Sequence, residues 1–248
     1  MLPVVVYHGP MSLALTLRPF AWGALNPDVT GMVLAVKRLR ITYLTFADLL
    51  DLAEAARTTE AAGVPGAFVE AGCALGGSGV ILASVKTRLR PMFMFDTFGM
   101  IPPPSERDGV DVHARYSEIE AGRSKGIDGE TYYGYRQNLM DEVANTLTAL
   151  GHPPAGDNIQ LVRGLFEHTL HLEGPVALAH LDCDWHDSVR VCLERIVPRL
   201  SPGGRLVIDD YDAWSGCRTA VDAYFADKRQ DFEFSVRRRL HIIRRDRT

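Results

Sequence analysis

The segment GAFVEAGCALGGSGVILASVKTRL, Gly66 to Leu89, decides the fold. Its opening, Ala67 to Val69, is a short apolar run that follows Pro65-Gly66 and ends at Glu70, the pattern of a buried strand. Glycines come next at positions 72, 76, 77 and 79, and Val80, Ile81, Leu82 and Val85 then recur at helical spacing. Strand, glycine turn and helix in that order make the first unit of an open α/β sheet, and the glycines let backbone approach a ligand closely. The turn is not G-x-G-x-x-G. Its first two glycines are too far apart to seat a pyrophosphate, and Glu70 sets negative charge beside it, so a cationic ligand suits it better. Asp96 ends the next apolar run, PMFMFD, where an acid can accept both hydroxyls of a ribose. A nucleoside with a positively charged, phosphate-free tail fits Glu70 and Asp96 together, and S-adenosylmethionine is the commonest such molecule. The alternative is a structural glycine turn flanked by two solvated acids.

Helix and strand periods alternate outward from this unit. Thr45 and Asp48 form a capping pair before FADLLDLAEAA, which Gly63 and Pro65 stop. Beyond Asp96, QNLMDEVANTLTAL reads as helix, NIQLVRG and GPVALAHLD as strands, DSVRVCLERIVPRL as helix, GGRLVIDD as strand and GCRTAVDAYFADK as helix. DFEFSV and LHIIRR close the chain as two successive strands. The expectation is an α/β fold with a mainly parallel sheet and an antiparallel pair at its C-terminal edge. Residues 97–136 carry no sustained period and are rich in Pro, Gly and Tyr, as expected of a substrate loop or lid at the carboxyl edge of the sheet. Residues 1–42 form an apolar arm that serves as lid or oligomerisation segment ahead of the domain at 43–248, packs across a neighbouring subunit and makes the protein a homo-oligomer.

Composition narrows the class. A net charge of −4 gives no general attraction to nucleic-acid phosphates or anionic lipid, so neither partner is expected. Cys73, Cys183, Cys192 and Cys217 never fall as C-x-x-C and sit in or beside apolar or glycine-rich segments, which reads as reduced thiols. The N-terminus lacks a positively charged leader region, and no apolar stretch approaches a membrane span; a cytoplasmic location follows.

The second constellation is acidic. HLDCDWHDS, His180 to Ser188, ends one strand with Asp182 and Asp184, and GGRLVIDDY, Gly203 to Tyr211, ends the next with Asp209 and Asp210. Adjacent parallel strands bring these ends together. Period-2 alternation gives Asp182 and Asp184 the same side, so one converges with the paired acids while the other faces the cofactor or caps the next helix. Three convergent carboxylates with no His or Cys among them form a hard-oxygen site suited to Mg²⁺ or Mn²⁺. The bland reading is strand-end acids that cap helices and turns.

FVEAGCALGGSGVILA, FDTFGMIPPP and LDCDWHDSVRVCLERIVPRLSPGGRLVIDDY together resemble the macrocin O-methyltransferase (TylF-type) family, S-adenosylmethionine enzymes that methylate deoxysugar hydroxyls in natural-product biosynthesis; the likeness spans roughly residues 43–225. The resemblance implies a class I methyltransferase Rossmann-like sandwich. It implies Asp182, Asp209 and Asp210 as Mg²⁺ ligands, with Glu70, Gly72 and Asp96 at the cofactor; Cys73, Thr97, Gly164, Phe166 and Asp182 complete the candidate cofactor set. Asp182 is the first choice of general base and His186 the second. Phe166 lies on the adenine or is plain core, and Tyr132, Tyr133 and Tyr135 stack on a sugar or anchor their loop, with anchoring favoured. Trp185 packs rather than binds, and the arginines of SVRRRLHIIRRDRT form a solvated face or touch an acceptor's diphosphate. The acceptor is a small sugar, as nucleotide sugar or finished glycoside. A catechol-type O-methyltransferase and a non-catalytic S-adenosylmethionine-binding subunit are the alternatives.

Overall fold

The computed structural model describes residues 13–246. Among these residues seven strands form one sheet, in the order β3-β2-β1-β4-β5-β7-β6. The parallel strands are β1 (Ala67–Ala71), β2 (Met92–Asp96), β3 (Ile159–Arg163), β4 (Val176–Leu181) and β5 (Leu200–Ile208); β6 (Phe232–Val236) and β7 (Leu240–Arg244) are antiparallel. Every residue of β1 and β4 is buried, as a strand covered on both faces requires. The order reverses between β1 and β4, whose carboxyl ends therefore open into a crevice where such sheets bind ligands.

Two hydrophobic layers hold the sheet. On one face α3 (Phe46–Ala61) and α4 (Gly77–Val85) pack Leu49, Leu50 and Ile81 with Phe68 and Met94. On the other, α8 (His186–Ile196) and α9 (Ser215–Phe225) pack Val189, Leu193 and Phe225 with Leu181 and Ile242, while α6 (Leu139–Ala149) lies beside β3 and the short α7 (Phe166–Thr169) against α8. The Thr45–Asp48 capping box forms as the sequence predicts: the Asp48 amide donates to Thr45 Oγ1 at 3.2 Å, and the Thr45 amide donates back to Asp48 Oδ2 at 3.0 Å. All four cysteines are buried and unpaired, and no helix among the described residues is long and apolar enough to cross a membrane.

The structure departs from the sequence reading in two places. Within 97–136 stands an α-helix, α5 (Val110–Glu120), which escapes notice because only Val112 and Ile119, two turns apart, are buried on it. The rest of that helix is polar, so its apolar period is too sparse to read. The second departure is the arm. Its first 12 residues lie outside the described region, but α1 (Leu13–Leu25) and α2 (Pro27–Arg38) pack on α3 and α4 of their own chain. Val29, Val33 and Val36 are 2% exposed or less and join the core, and Arg18 pairs with Glu54 at 2.7 Å. Each buried valine is worth roughly 1.5–3 kcal/mol. A chain lacking residues 1–38 is therefore expected to melt well below the intact protein, and equal melting temperatures in calorimetry would show that these helices stand outside the cooperative core.

Candidate active site

The carboxyl ends of β1, β2, β4 and β5 open into a cavity of about 290 Å³. Gly72 sets its floor. With φ +91° it turns the chain out of β1, and a Cβ there would lie 1.8 Å from the carbonyl oxygen of Asp182, so the two strand ends touch through a position that only glycine can occupy. Asp96 lines the same cavity. Its Oδ2 accepts the amides of Cys73 (2.6 Å) and Ala74 (3.0 Å), and its Oδ1 the amide of Phe98 (2.6 Å) and the Thr97 hydroxyl (3.3 Å). Asp96 thus shapes the glycine turn, and ribose hydroxyls would share oxygens already engaged. Burial raises its carboxyl above the ordinary range, against these hydrogen bonds.

Thr97, Gly164, Phe166 and Asp182 line the cavity as well; Glu70 and the Cys73 side chain do not. Glu70 is fully buried beneath the turn, where it accepts a hydrogen bond from the Ser78 hydroxyl and faces His180 Nδ1 at 3.2 Å. A carboxylate in a strand buried on both faces takes partners inside the protein, and α4 and β4 supply them. The Cys73 thiol turns to the carbonyl of Phe95 at 3.5 Å.

The acids converge. One carboxylate oxygen each from Asp182, Asp209 and Asp210 can lie within 4.8 Å of the others, a hard donor set that fits Mg²⁺ or Mn²⁺. Burial, with the charge of the neighbouring aspartates, pushes Asp182 and Asp210 well above the carboxylate range. Burial also raises Asp209, but the nearby His180 imidazole and the Arg239 guanidinium, which donates to it at 2.6 Å, outweigh burial and hold Asp209 below its ordinary value. A divalent cation would relieve the repulsion among these groups.

Helix capping does not account for the acids. Neither α8 nor α9 is capped by its preceding side chain. Acids of the 97–136 insertion cap them instead: Asp108 accepts the His186 amide at 2.8 Å, and Asp111 accepts the Ser215 amide at 3.0 Å. Asp184 lines the cavity with φ +56°, donates its amide to Asp210 at 3.1 Å, and is pushed up to about 6 by burial against the hydrogen bond from Trp214. His186 lies off the cavity and pairs with Asp187 at 3.0 Å, so the geometry does not bring the second-choice base to the site.

The structure revises the roles read for several walls and adds Arg115, Trp214 and Arg239 to them. Tyr132 and Tyr133 line the cavity, while Tyr135 alone is a pure anchor, its hydroxyl donating to the Ile119 carbonyl at 2.6 Å. Trp185 both packs and lines: its indole donates to the Pro102 carbonyl at 3.0 Å and stands edge-on to Trp214 at 5.6 Å. Arg115 enters from α5. The arginine run is no solvated face. Arg237 reaches Glu54 (3.2 Å), Arg238 reaches Asp48 (3.0 Å), and Arg239 bridges Asp48 (3.2 Å) to Asp209 (2.6 Å) at the cavity wall. The available signal was the match between three successive arginines and the acids of FADLLDLAE, which no local period couples. His180 was equally legible as the one polar residue of an otherwise apolar strand.

The family model for Macrocin-O-methyltransferase (TylF) matches residues 37–234. The 8-demethyl-8-(2,3-dimethoxy-alpha-L-rhamnosyl)-tetracenomycin-C 4'-O-methyltransferase of Streptomyces olivaceus is 31% identical over 209 residues, 80% of this chain and 69% of that protein. The demethyldecarbamoylnovobiocin O-methyltransferase of Streptomyces niveus is 25% identical over 189 residues, 74% of this chain and 64% of its own length. Among solved structures, the O-methyltransferase NovP superposes with a TM-score of 0.68 at 19% identity, covering 95% of this chain and 99% of that one, a likeness of fold.

Proposed function

This chain belongs to the macrocin-O-methyltransferase (TylF) family, and from that premise we propose that it transfers the methyl group of S-adenosylmethionine to a hydroxyl of a deoxysugar, as a rhamnose-type nucleotide sugar or a glycosylated natural product, with the help of Mg²⁺. The observation that carries the reading is the meeting of the Gly72 turn and the Asp182–Asp209–Asp210 cluster in one cavity. Gly72, Asp96, Thr97, Gly164 and Phe166 would hold the cofactor, with Glu70 and Cys73 shaping the turn from beneath. The three aspartates would hold the cation.

A sugar hydroxyl is scarcely ionised at neutral pH, so attack on a methyl group requires that its proton be weakened or removed. When bound, a sulfonium cofactor supplies an electrophilic methyl group and a divalent cation lowers the pKa of a hydroxyl it holds. The protein does the rest. Trp185, Trp214, Tyr132 and Tyr133 offer aromatic walls to the apolar face of a sugar ring and narrow the access of water. The sequence reading puts both cation and proton on Asp182; the geometry supports dividing them, because Asp184 faces the same cavity outside the three-acid cluster and is free to take the proton. Asp184→Asn should lower kcat about 100-fold with cofactor and Mn²⁺ binding retained.

The test is methyl transfer from labelled S-adenosylmethionine to a panel of deoxysugar nucleotides, glycosylated natural products and catechols, with and without Mg²⁺. Sugar methylation that needs Mg²⁺ supports the reading, and turnover confined to catechols replaces it, since aromatic walls also admit a flat ring. Binding of S-adenosylhomocysteine with no turnover on any acceptor would favour a non-catalytic subunit. The homo-oligomer belongs to the same proposal. Leu17 (52%), Leu25 (83%) and Leu34 (55%) stand exposed on α1 and α2 and support a second copy there, which light scattering would weigh. A cytoplasmic setting, supported by the unpaired buried thiols, and a small-molecule acceptor complete it.

A further inference from the structure

A chain of buried polar groups runs beneath the cavity from one half of the site to the other. It starts at Ser78 in α4, whose hydroxyl donates to Glu70, two residues before Gly72. Glu70 stands in register with His180 across the β1–β4 pair, and both its oxygens lie 3.2–3.3 Å from His180 Nδ1. His180 Nε2 points on toward β5, 3.9 Å from Asp209 Oδ1, and that same oxygen accepts from Arg239 Nε at 2.6 Å. Glu70 and His180 are both 0% exposed.

Three features set His180 apart from an ordinary core residue. Its five companions in β4 are all apolar, so packing alone would call for an apolar side chain. Taking an imidazole and a carboxylate out of water is expensive and seldom adds stability, so their presence points to a positional role. Finally, Nε2 is buried with no hydrogen-bond partner, just beyond reach of Asp209. A shift of about 1 Å would close that gap to hydrogen-bond length, so a bonded arrangement lies within reach of the open one seen here, the pair of states that a coupling element requires.

We infer that His180 is a positioning residue that couples the cofactor turn to the three-acid cluster, so that occupancy at either one strengthens binding at the other. The inference rests on the reading of those two sites given above. A ligand seated against Gly72 fixes the end of β1 and with it Glu70, which orients the imidazole toward Asp209. Conversely, a cation that fixes Asp209 holds the imidazole against Glu70. Linkage makes the two effects equal in free energy.

The experiment measures binding alone. Mn²⁺ is titrated into the full chain by electron paramagnetic resonance with and without S-adenosylhomocysteine, and S-adenosylhomocysteine is titrated calorimetrically with and without Mn²⁺. In the wild-type protein each ligand should tighten the other by the same factor, roughly fivefold or more. His180→Asn keeps an amide where Nδ1 stands, so Glu70 stays partnered, but it cannot reach Asp209; the factor should fall to about one with each separate affinity little changed. His180→Gln carries its amide to the Nε2 position and should recover part of the factor. Such rescue is not expected of a residue that merely fills space. Independent binding of the two ligands to the wild type, or an unchanged factor in His180→Asn, overturns the inference while leaving the two sites standing. Failure of the wild type to bind either ligand overturns the sites and the inference together. The wild-type measurement needs no variant, so an unstable His180→Asn protein does not shelter the idea.

Discussion

Asp210→Asn is expected to lower methyl transfer by roughly three to five orders of magnitude, the several kcal/mol that a cation contributes to such a reaction. Asp210 is 5% exposed, and one of its oxygens and one each of Asp182 and Asp209 lie within 4.8 Å of one another. Asparagine has the same shape and retains an oxygen for the amide of Asp184, which Asp210 Oδ2 accepts at 3.1 Å, so the loop after β4 should keep its course. What the substitution removes is one negative charge from a donor set that would hold a small, strongly hydrated dication. Excess chelator should inactivate the wild type to a similar degree, and Mg²⁺ should restore the wild type but not the variant at ordinary concentrations. S-adenosylhomocysteine binding without metal should change little. Turnover that persists in chelator would leave three converging aspartates with no cation to account for them, since Asp108 and Asp111 cap the helices that follow the acids.

Gly72→Ala should be the most damaging single change at the cofactor end. An alanine at φ +91° costs about 1–2 kcal/mol for the left-handed backbone. The added Cβ would also sit 1.8 Å from the Asp182 carbonyl oxygen, a backbone atom that cannot turn aside. Forcing the strand ends apart adds roughly 1–3 kcal/mol of overpacking. The same displacement would disturb the amide of Gly72, which donates to Phe95, and that of Asp182, which donates to Ala71, both at 2.9 Å. Melting temperature and S-adenosylhomocysteine affinity should therefore fall together, binding dropping below detection. Gly31→Ala is the control: it lies within α2 and an added Cβ there would meet nothing inside 4 Å, so the affinity should stay unchanged and the melting temperature should hold or rise slightly, alanine being the better helix former. A Gly72→Ala protein that bound the nucleoside as well as the wild type would show that the turn does not form the cofactor floor.

The sequence by itself determined the sheet and grouped the strand-end residues that meet at the cavity. Strand identity was legible because β1, β2, β4 and the final residues of β5, Leu206–Ile208, are mainly apolar runs closed by Gly or Asp, a local pattern set by burial on both faces. Helix α3 announced itself through Thr45 and Asp48, since a capping box joins residues three apart. The acids could be grouped because adjacent parallel strands end at the same edge. Only the tertiary structure decided which groups face the cavity and which lie beneath it. Glu70, read as a ligand to a cationic cofactor, is enclosed by Ser78 and His180, because a side chain's direction at a strand end depends on what the neighbouring strand and helix present. Asp182 and Asp184 both line the cavity, but only Asp182 joins the three-acid cluster, because β4 ends at Leu181 and Asp184 takes a left-handed backbone conformation beyond it. Arg239 meets Asp48 and Asp209 across 191 and 30 residues of sequence, and Tyr132, Arg115 and Trp214 reach one cavity from separate elements. Such contacts carry no sequence period: they arise when chain segments far apart are brought together by burial, and only the folded backbone states which ones meet.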